Sequence, residues 1–364
     1  MNQEQITVIT TDCVRQQQEY YLRCLWRDCF NDPQPYENFY FENIYPHNTV
    51  YCIPEKGMLH RNPYHVWIRE TNYPLSYIVG VATNPSDRRR GIMKSLLEKM
   101  LADLCDERAP FTYLMPADVA YYIPFDFVSI CESEKEQMII DAPKNSAGNE
   151  NLLFVEYDTL IGRSSNMDGL FDRIGQMLSE IYDVYAVHDR EYFDLLWKEK
   201  HCLGGNVIFC FSEEIIPDRF VGFFAYSKEG EQVIVEQYLF PDRMIADCLS
   251  GYTTGEITVF HRLPYMARVV CVETFLEVFA DCFAQYEGKW IQITDPVLNE
   301  NNGRYRLSLL DGTARVEKLP VVDLTGDGED GFLQDVKMSV SELAAFVFGK
   351  QTGRPVNVFF AEIV

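Results

Sequence analysis

The chain has 364 residues, more than one ordinary core holds at roughly 100 to 200 residues per domain, so three globular units are expected. A formal charge of -23 repels phosphate backbones and argues against nucleic acid as a partner, and with 47% hydrophobic residues no stretch has the composition of a disordered tail. The 11 cysteines form no C-x-x-C pair and the six histidines show neither H-x-x-x-H nor H-E-x-x-H spacing, so a disulfide framework, a zinc ribbon and a metal centre are all disfavoured.

The first residues lack a basic segment followed by an apolar one, and no run of about 18 apolar residues follows anywhere, so a soluble cytoplasmic protein with no membrane partner is expected. Thr11 is placed to cap a helix whose apolar positions Val14, Tyr21, Leu22, Leu25, Trp26 and Cys29 recur at helical spacing and which stops at Asn31, Asp32 and Pro33. The aromatic-rich stretch 36–45 reads as loop, and short strands follow at 49–53, 58–60 and 65–68. Residues 77–83 form a nearly continuous apolar strand broken by Asn84 and Pro85. Beyond Arg88, Arg89 and Arg90, a helix face runs through Met93, Leu96, Leu97, Met100, Leu101 and Leu104, and 111–115 is the next strand.

A second unit opens near Gly148, with a strand at 152–157, helices through Leu170, Ile174, Leu178 and around Tyr192, strands at 207–211, 221–226 and 233–239, and a helix at 242–249. This order repeats that of the first unit. A third begins near Tyr265, with strand 269–272, a helix through Phe275, Leu276, Phe279 and Phe283, strands at 290–294, 305–310 and 314–318 around an Asp311-Gly312 hairpin signal, and a last helix capped by Ser341 and ended by Gly349. The domains are therefore expected at 1–147, 148–264 and 265–364.

The chemistry is concentrated where the strand ending in Val81, Ala82 and Thr83 turns through Arg88, Arg89, Arg90 and Gly91 into the helix starting at Ile92 and Met93. A helix start offers unpaired N–H groups and the positive end of the macrodipole, which suit a diphosphate, and a glycine removes the side chain that would obstruct its approach. Neither the P-loop pattern nor the dinucleotide fingerprint is present. The equivalent strand of the second unit runs into Phe240, Pro241, Asp242, Arg243 and Met244, with no glycine and a carboxylate, and should bind no such group.

The pattern R-x-x-G-x preceded by V-A-T-x-P resembles the pyrophosphate loop of GNAT acetyltransferases. Met93, where a small residue is usual, is similar to the enhanced intracellular survival (Eis) subfamily. So is Tyr113, Leu114, Met115, Pro116, followed by Tyr121, Tyr122, Ile123, Pro124, Phe125, Asp126, Phe127, although Asp126 stands where glycine is usual. The resemblance implies an α/β (α+β) chain of two tandem GNAT-like domains, the second degenerate, and a sterol-carrier-like third domain, assembled as a homo-oligomer, a hexamer in that family. It implies acetyl-CoA as cosubstrate, held by Val81, Ala82, Thr83, Arg88, Arg89, Arg90, Gly91, Ile92 and Met93. Tyr122 becomes the catalytic acid and the terminal carboxylate of Val364 the second catalytic group, with Asp32 and His60 lining the acceptor pocket. A phenol of pKa near 10 stays protonated at pH 7 and can supply a proton to a departing thiolate. An amine of pKa near 10.4 must first lose one, at about 4.6 kcal/mol at pH 7, which is the work assigned to the carboxylate. The acceptor is expected to be a cationic primary amine: an aminoglycoside, a polyamine or a lysine side chain. The alternative is a non-catalytic carrier that binds a lipid or small ligand in its third domain.

Overall fold

The structure is a computed structural model that describes residues 5–10, 12–141, 152–163, 168–240, 244–310, 313–319 and 336–349. The first third of the chain contributes strands β1 (Thr7–Ile9), β2 (Thr49–Ile53), β3 (Gly57–Ile68), β4 (Thr71–Thr83), β5 (Phe111–Leu114) and β6 (Val128–Cys131), with helices α1 (Asp12–Phe30), α2 (Gln34–Phe39) and α3 (Ile92–Asp106). The middle third holds β7 (Glu134–Ile140), β8 (Leu152–Glu156), α4 (Tyr157–Arg163), α5 (Asp168–Ile181), β9 (Val184–Ala186), α6 (Arg190–Cys202), β10 (Asn206–Ser212), β11 (Phe220–Glu229), β12 (Gln232–Leu239), α7 (Met244–Tyr252) and β13 (Gly255–Arg262). The rest comprises β14 (Tyr265–Val269), α8 (Val272–Val278), β15 (Trp290–Thr294), β16 (Gly303–Leu310), β17 (Thr313–Leu319), β18 (Val336–Ser339) and α9 (Val340–Phe348).

These strands form three sheets, ordered β1-β2-β3-β4-β5-β14-β6 with β9 added to β3, then β7-β13-β12-β11-β10-β8, then β17-β16-β15-β18. In the first sheet β2, β3 and β4 are antiparallel and β5 joins β4 in parallel. The second sheet repeats the plan, with β10, β11 and β12 antiparallel and β13 parallel to β12. Strand β4 is buried throughout 75–80 because both its faces are covered, α1 packing on it and α3 spanning β2, β3 and β4. Five of the six positions expected on the apolar face of α3 are buried, Leu96, Leu97, Met100, Leu101 and Leu104, while Met93 is intermediate and Ile92 is buried in its place.

The sheets do not follow the three sequence intervals. Glu134–Ile140 precedes residue 148 yet lies in the second sheet, and Tyr265–Val269 lies in the first, between β5 and β6. The core of the first sheet is continuous with that of the C-terminal unit, where Phe348 of α9 packs edge-on against Phe111 of β5 at 5.0 Å.

Local expectations also need correction. Residues 36–45 are not loop: α2 passes into a single π-helical turn at Tyr40–Ile44 and a 3-10 turn at Tyr45–His47, because Tyr36, Phe39, Tyr40, Phe41 and Ile44 all bury their side chains. The strands read at 58–60 and 65–68 are one, β3, which continues through Pro63. The last helix is capped by Ser339 rather than Ser341, with Glu342 completing a reciprocal capping box. Thr11, Asp311 and Gly312 lie outside the described residues; Leu310 pairs with Thr313. Among the described residues no helix is long and apolar enough to cross a membrane.

Candidate active site

The site begins with a mismatch between two strands. β4 pairs with β5 only at Tyr77 with Tyr113 and Ile78 with Leu114, then runs on to Thr83. From Val79 onward its β5-facing edge has no strand partner among the described residues, while its other edge stays paired to β3 as far as Thr83 with Gly57. Such an edge presents backbone donors and acceptors that an extended ligand can take up in place of a strand.

A bulge sets the geometry of this segment. Met58 faces Ala82 but His60 faces Val79, so β4 carries one extra residue, and Gly80 adopts φ +61 there. A methyl group on Gly80 would come within 2.9 Å of the Trp26 ring and 3.3 Å of His60, which leaves room for glycine alone. The second domain carries a matching bulge, with Glu236 as the extra residue of β12 between the Ala225–Gln237 and Tyr226–Val235 pairs.

At its far end β4 turns through Asn84, whose side chain accepts from the Ser86 amide, into the basic loop and α3. Arg89 (φ 62) and Gly91 (φ 83) are left-handed, Gly91 is the N-cap of α3, and no side chain caps the helix. The first-turn amides of Ile92 and Met93 therefore have no capping acceptor, in a loop with three exposed arginines. Arg90 is tethered to Asp87 at 2.9 Å, and Arg88 Nε donates to the Thr83 carbonyl at 3.4 Å. Val81 and Thr83 are partly accessible, Ala82 and Ile92 are buried, and Met93 is intermediate. The structure thus brings the nine expected cofactor residues together as one open strand edge leading into one uncapped helix start.

Tyr122 belongs to the connection that leaves β5 and crosses β14 to reach β6, which runs parallel to β5. It sits between two 3-10 turns, Val119–Tyr121 and Ile123–Phe125, and its carbonyl accepts from the amides of Phe125 (3.0 Å) and Phe127 (3.4 Å). Its ring is buried against Phe127 while its neighbours Tyr121 and Ile123 are exposed. Burial, with Tyr121 adding to it, raises the phenol well above its ordinary range, so the group stays protonated at physiological pH. Asp126 takes the left-handed conformation, φ 59, that glycine would supply, so the turn keeps its shape with a carboxylate in place of the usual residue.

The two expected acceptor residues have different surroundings. Asp32 is partly buried and accepts from Trp26 Nε1 at 2.9 Å, and burial foremost raises its carboxyl above the usual carboxylate range. His60 is wholly buried among Trp26, Tyr40, Phe41 and Tyr45. The Asn48 side chain donates to the Tyr40 hydroxyl, which sits 2.9 Å from His60 Nδ1, an arrangement that suits a neutral imidazole carrying its proton on Nε2. Burial, reinforced by Arg15, pushes His60 down to about 3. Its ring also lies against the Gly80 bulge of β4, where a methyl group on Gly80 would meet it at 3.3 Å. Val364 lies outside the described residues.

In the second sheet β12 and β13 pair only over Val233–Ile257, Ile234–Thr258 and Val235–Val259. Past that point Tyr238 and His261 bridge the two strands, hydroxyl to Nδ1 at 2.8 Å, and His261 Nε2 continues to Glu136 at 3.1 Å. Side chains thus occupy the interval that is open in the first sheet. The Pro241, Asp242 and Arg243 segment lies outside the described residues. Among the described residues no group of three or more His, Cys, Asp or Glu side chains gathers as a metal site.

The family model of the acetyltransferase (GNAT) domain matches residues 14–129, and that of the sterol carrier protein domain matches residues 284–355. No curated protein matches the chain by sequence. Among solved structures, a conserved protein from Enterococcus faecalis described as a probable N-acyltransferase superposes with a TM-score of 0.70 at 16% identity, over 95% of this chain and 90% of its own. A GCN5-related N-acetyltransferase from Anabaena variabilis superposes at 0.69 and 15% identity, over 95% and 90%. Eis1 from Mycobacterium abscessus does so at 0.60 and 13%, over 96% and 90%. At these identities the likeness is one of fold, and it extends along nearly the whole chain.

Proposed function

We propose that this chain, which carries the GNAT and sterol carrier domains of the Eis-type acyltransferases, moves an acetyl group from acetyl-CoA directly to a primary amine of a cationic acceptor. The observation that carries the reading is the open edge of β4 from Val79 to Thr83 running into the uncapped start of α3. That edge fits an extended arm with amide groups, and the helix start with Arg88, Arg89 and Arg90 fits a diphosphate. Bound there, acetyl-CoA supplies an activated thioester. The chain supplies Tyr122, a phenol that holds its proton for a departing sulfur, and the terminal carboxylate of Val364 takes the role of proton acceptor for the amine.

The acceptor is proposed from charge. A chain of -23 attracts cations over distance, and Asp32 is a half-buried carboxylate beside Trp26, a pairing that suits an ammonium group. Aminoglycosides, polyamines and lysine side chains share that chemistry. A panel of such amines with acetyl-CoA and a thiol-release readout tests the reading. Tyr122→Phe should lower kcat by about 100-fold or more and leave acetyl-CoA affinity unchanged, since general acids contribute on that order. Full turnover in the variant would remove Tyr122 from the chemistry.

The carrier reading finds less support in the packing. Phe275, Phe279 and Phe348, three of the large apolar side chains described in the C-terminal unit, are packed on one another and on Phe111, so an apolar ligand entering there would have to part them.

A further inference from the structure

Strand β14 is buried at all five positions, and one of them is an arginine. The Arg268 guanidinium is wholly enclosed and each of its nitrogens donates a bond: Nε to the Phe125 carbonyl at 2.7 Å, Nη1 to the Val269 carbonyl at 2.6 Å, and Nη2 to Asp295 Oδ1 at 2.7 Å. Asp295 belongs to the C-terminal unit and is held in turn. Its Oδ1 accepts from the amides of Val297 (2.9 Å) and Leu298 (3.0 Å), and its Oδ2 accepts from Asn301 Nδ2 at 2.8 Å. Asn301 is itself fixed to the Val270 carbonyl and the Val272 amide.

The other end of this chain of bonds is the turn that carries Tyr122. Phe125 donates its amide to the Tyr122 carbonyl and offers its own carbonyl to Arg268, so one residue joins the two. A buried ion pair contributes little stability over an apolar pair of similar size, so its directional bonds have to be explained by what they hold in place.

We infer that Arg268 is a positioning residue for Tyr122, anchored by Asp295, so that the C-terminal unit helps to set the proton donor's placement. The inference rests on Tyr122 as the proton donor. It assigns the sterol carrier domain a part in catalysis: its Asp295 loop locks the guanidinium whose remaining bonds lock the turn.

The full chain tests this with four forms: wild type, Tyr122→Phe, the pair variant Arg268→Met with Asp295→Leu, and the pair variant combined with Tyr122→Phe. The pair variant should lower kcat about 100-fold, hold the KM for acetyl-CoA within about twofold, and lose little more when Tyr122→Phe is added, because groups acting through one another are non-additive. Wild-type kcat in the pair variant, or a full further loss on adding Tyr122→Phe, would overturn the inference. Should the pair variant not fold, Arg268→Lys serves instead: it keeps the charge for Asp295 but lacks the fork that also reaches Phe125 and Val269, so kcat should fall at temperatures well below its own melting point, where the chain is still folded. Unchanged kcat in that variant would likewise overturn it. Wild-type turnover in Tyr122→Phe alone would instead bring down the underlying role of Tyr122, which separates the two failures.

Discussion

Histidine 60 shows how a residue can be placed at a site and still be silent in its acid-base chemistry. Buried imidazoles at His60, pushed down to about 3, and His188, pushed down to about 4, are neutral in the folded protein. Unfolded histidine takes a proton near 6.5, so as pH falls below 6.5 the unfolded state binds more protons and stability declines until the folded values are reached. His60 contributes on the order of 1–2 kcal/mol to this decline by pH 5. The melting temperature should fall between pH 6.5 and 4.5, and His60→Leu should flatten that slope even if its absolute stability is lower. An unchanged slope would mean that His60 is charged in the fold. The resemblance singled out Tyr122, which residue type alone could not, because the chain holds 22 tyrosines and most such rings serve packing. Arg268 was missed, yet its signal is in the sequence: a lone arginine in the apolar run Tyr265, Met266, Ala267, Arg268, Val269.

The element that carries the site is β4 with its exit into α3, and most of it was legible. A continuous apolar run, a break at Asn84 and Pro85, a glycine and an amphipathic stripe are local signals that need no long-range information. The open edge was not legible, because it depends on where β5 stops pairing, and pairing register is settled by contacts distant in sequence. The helical segment 34–47 was missed for a related reason: its aromatic residues answer to the core around Trp26 rather than to an amphipathic period. At Gly91, φ 83 and a space free of neighbours within 4 Å leave the backbone as the feature to be tested. Gly91→Asp should be tolerated sterically, at about 1 kcal/mol of left-handed strain, while setting a carboxylate beside the amides that would receive a diphosphate.

On the scale of the whole molecule, three units in sequence become an interleaved assembly in space. Strand β14 completes the first sheet from beyond the second, β9 adds to β3, and the aromatic core joins Phe111 to Phe348 across more than two hundred residues. No local pattern announces such exchange, and sequence intervals mark domains only where chain order and sheet order agree. A fragment of residues 1–147 lacks the strand between β5 and β6 and should not fold: far-UV circular dichroism and hydrogen exchange are expected to show no protected sheet, and a cooperatively melting fragment would contradict the interleaving. The central claim, that the edge of β4 and the start of α3 form an acetyl-CoA site, is tested most directly by isothermal titration calorimetry of the full chain with acetyl-CoA. One saturable site per chain is predicted, retained in Tyr122→Phe and abolished or weakened at least about 10-fold in Gly91→Asp by the added charge; no binding to the wild type, or equal affinity in Gly91→Asp, would contradict it.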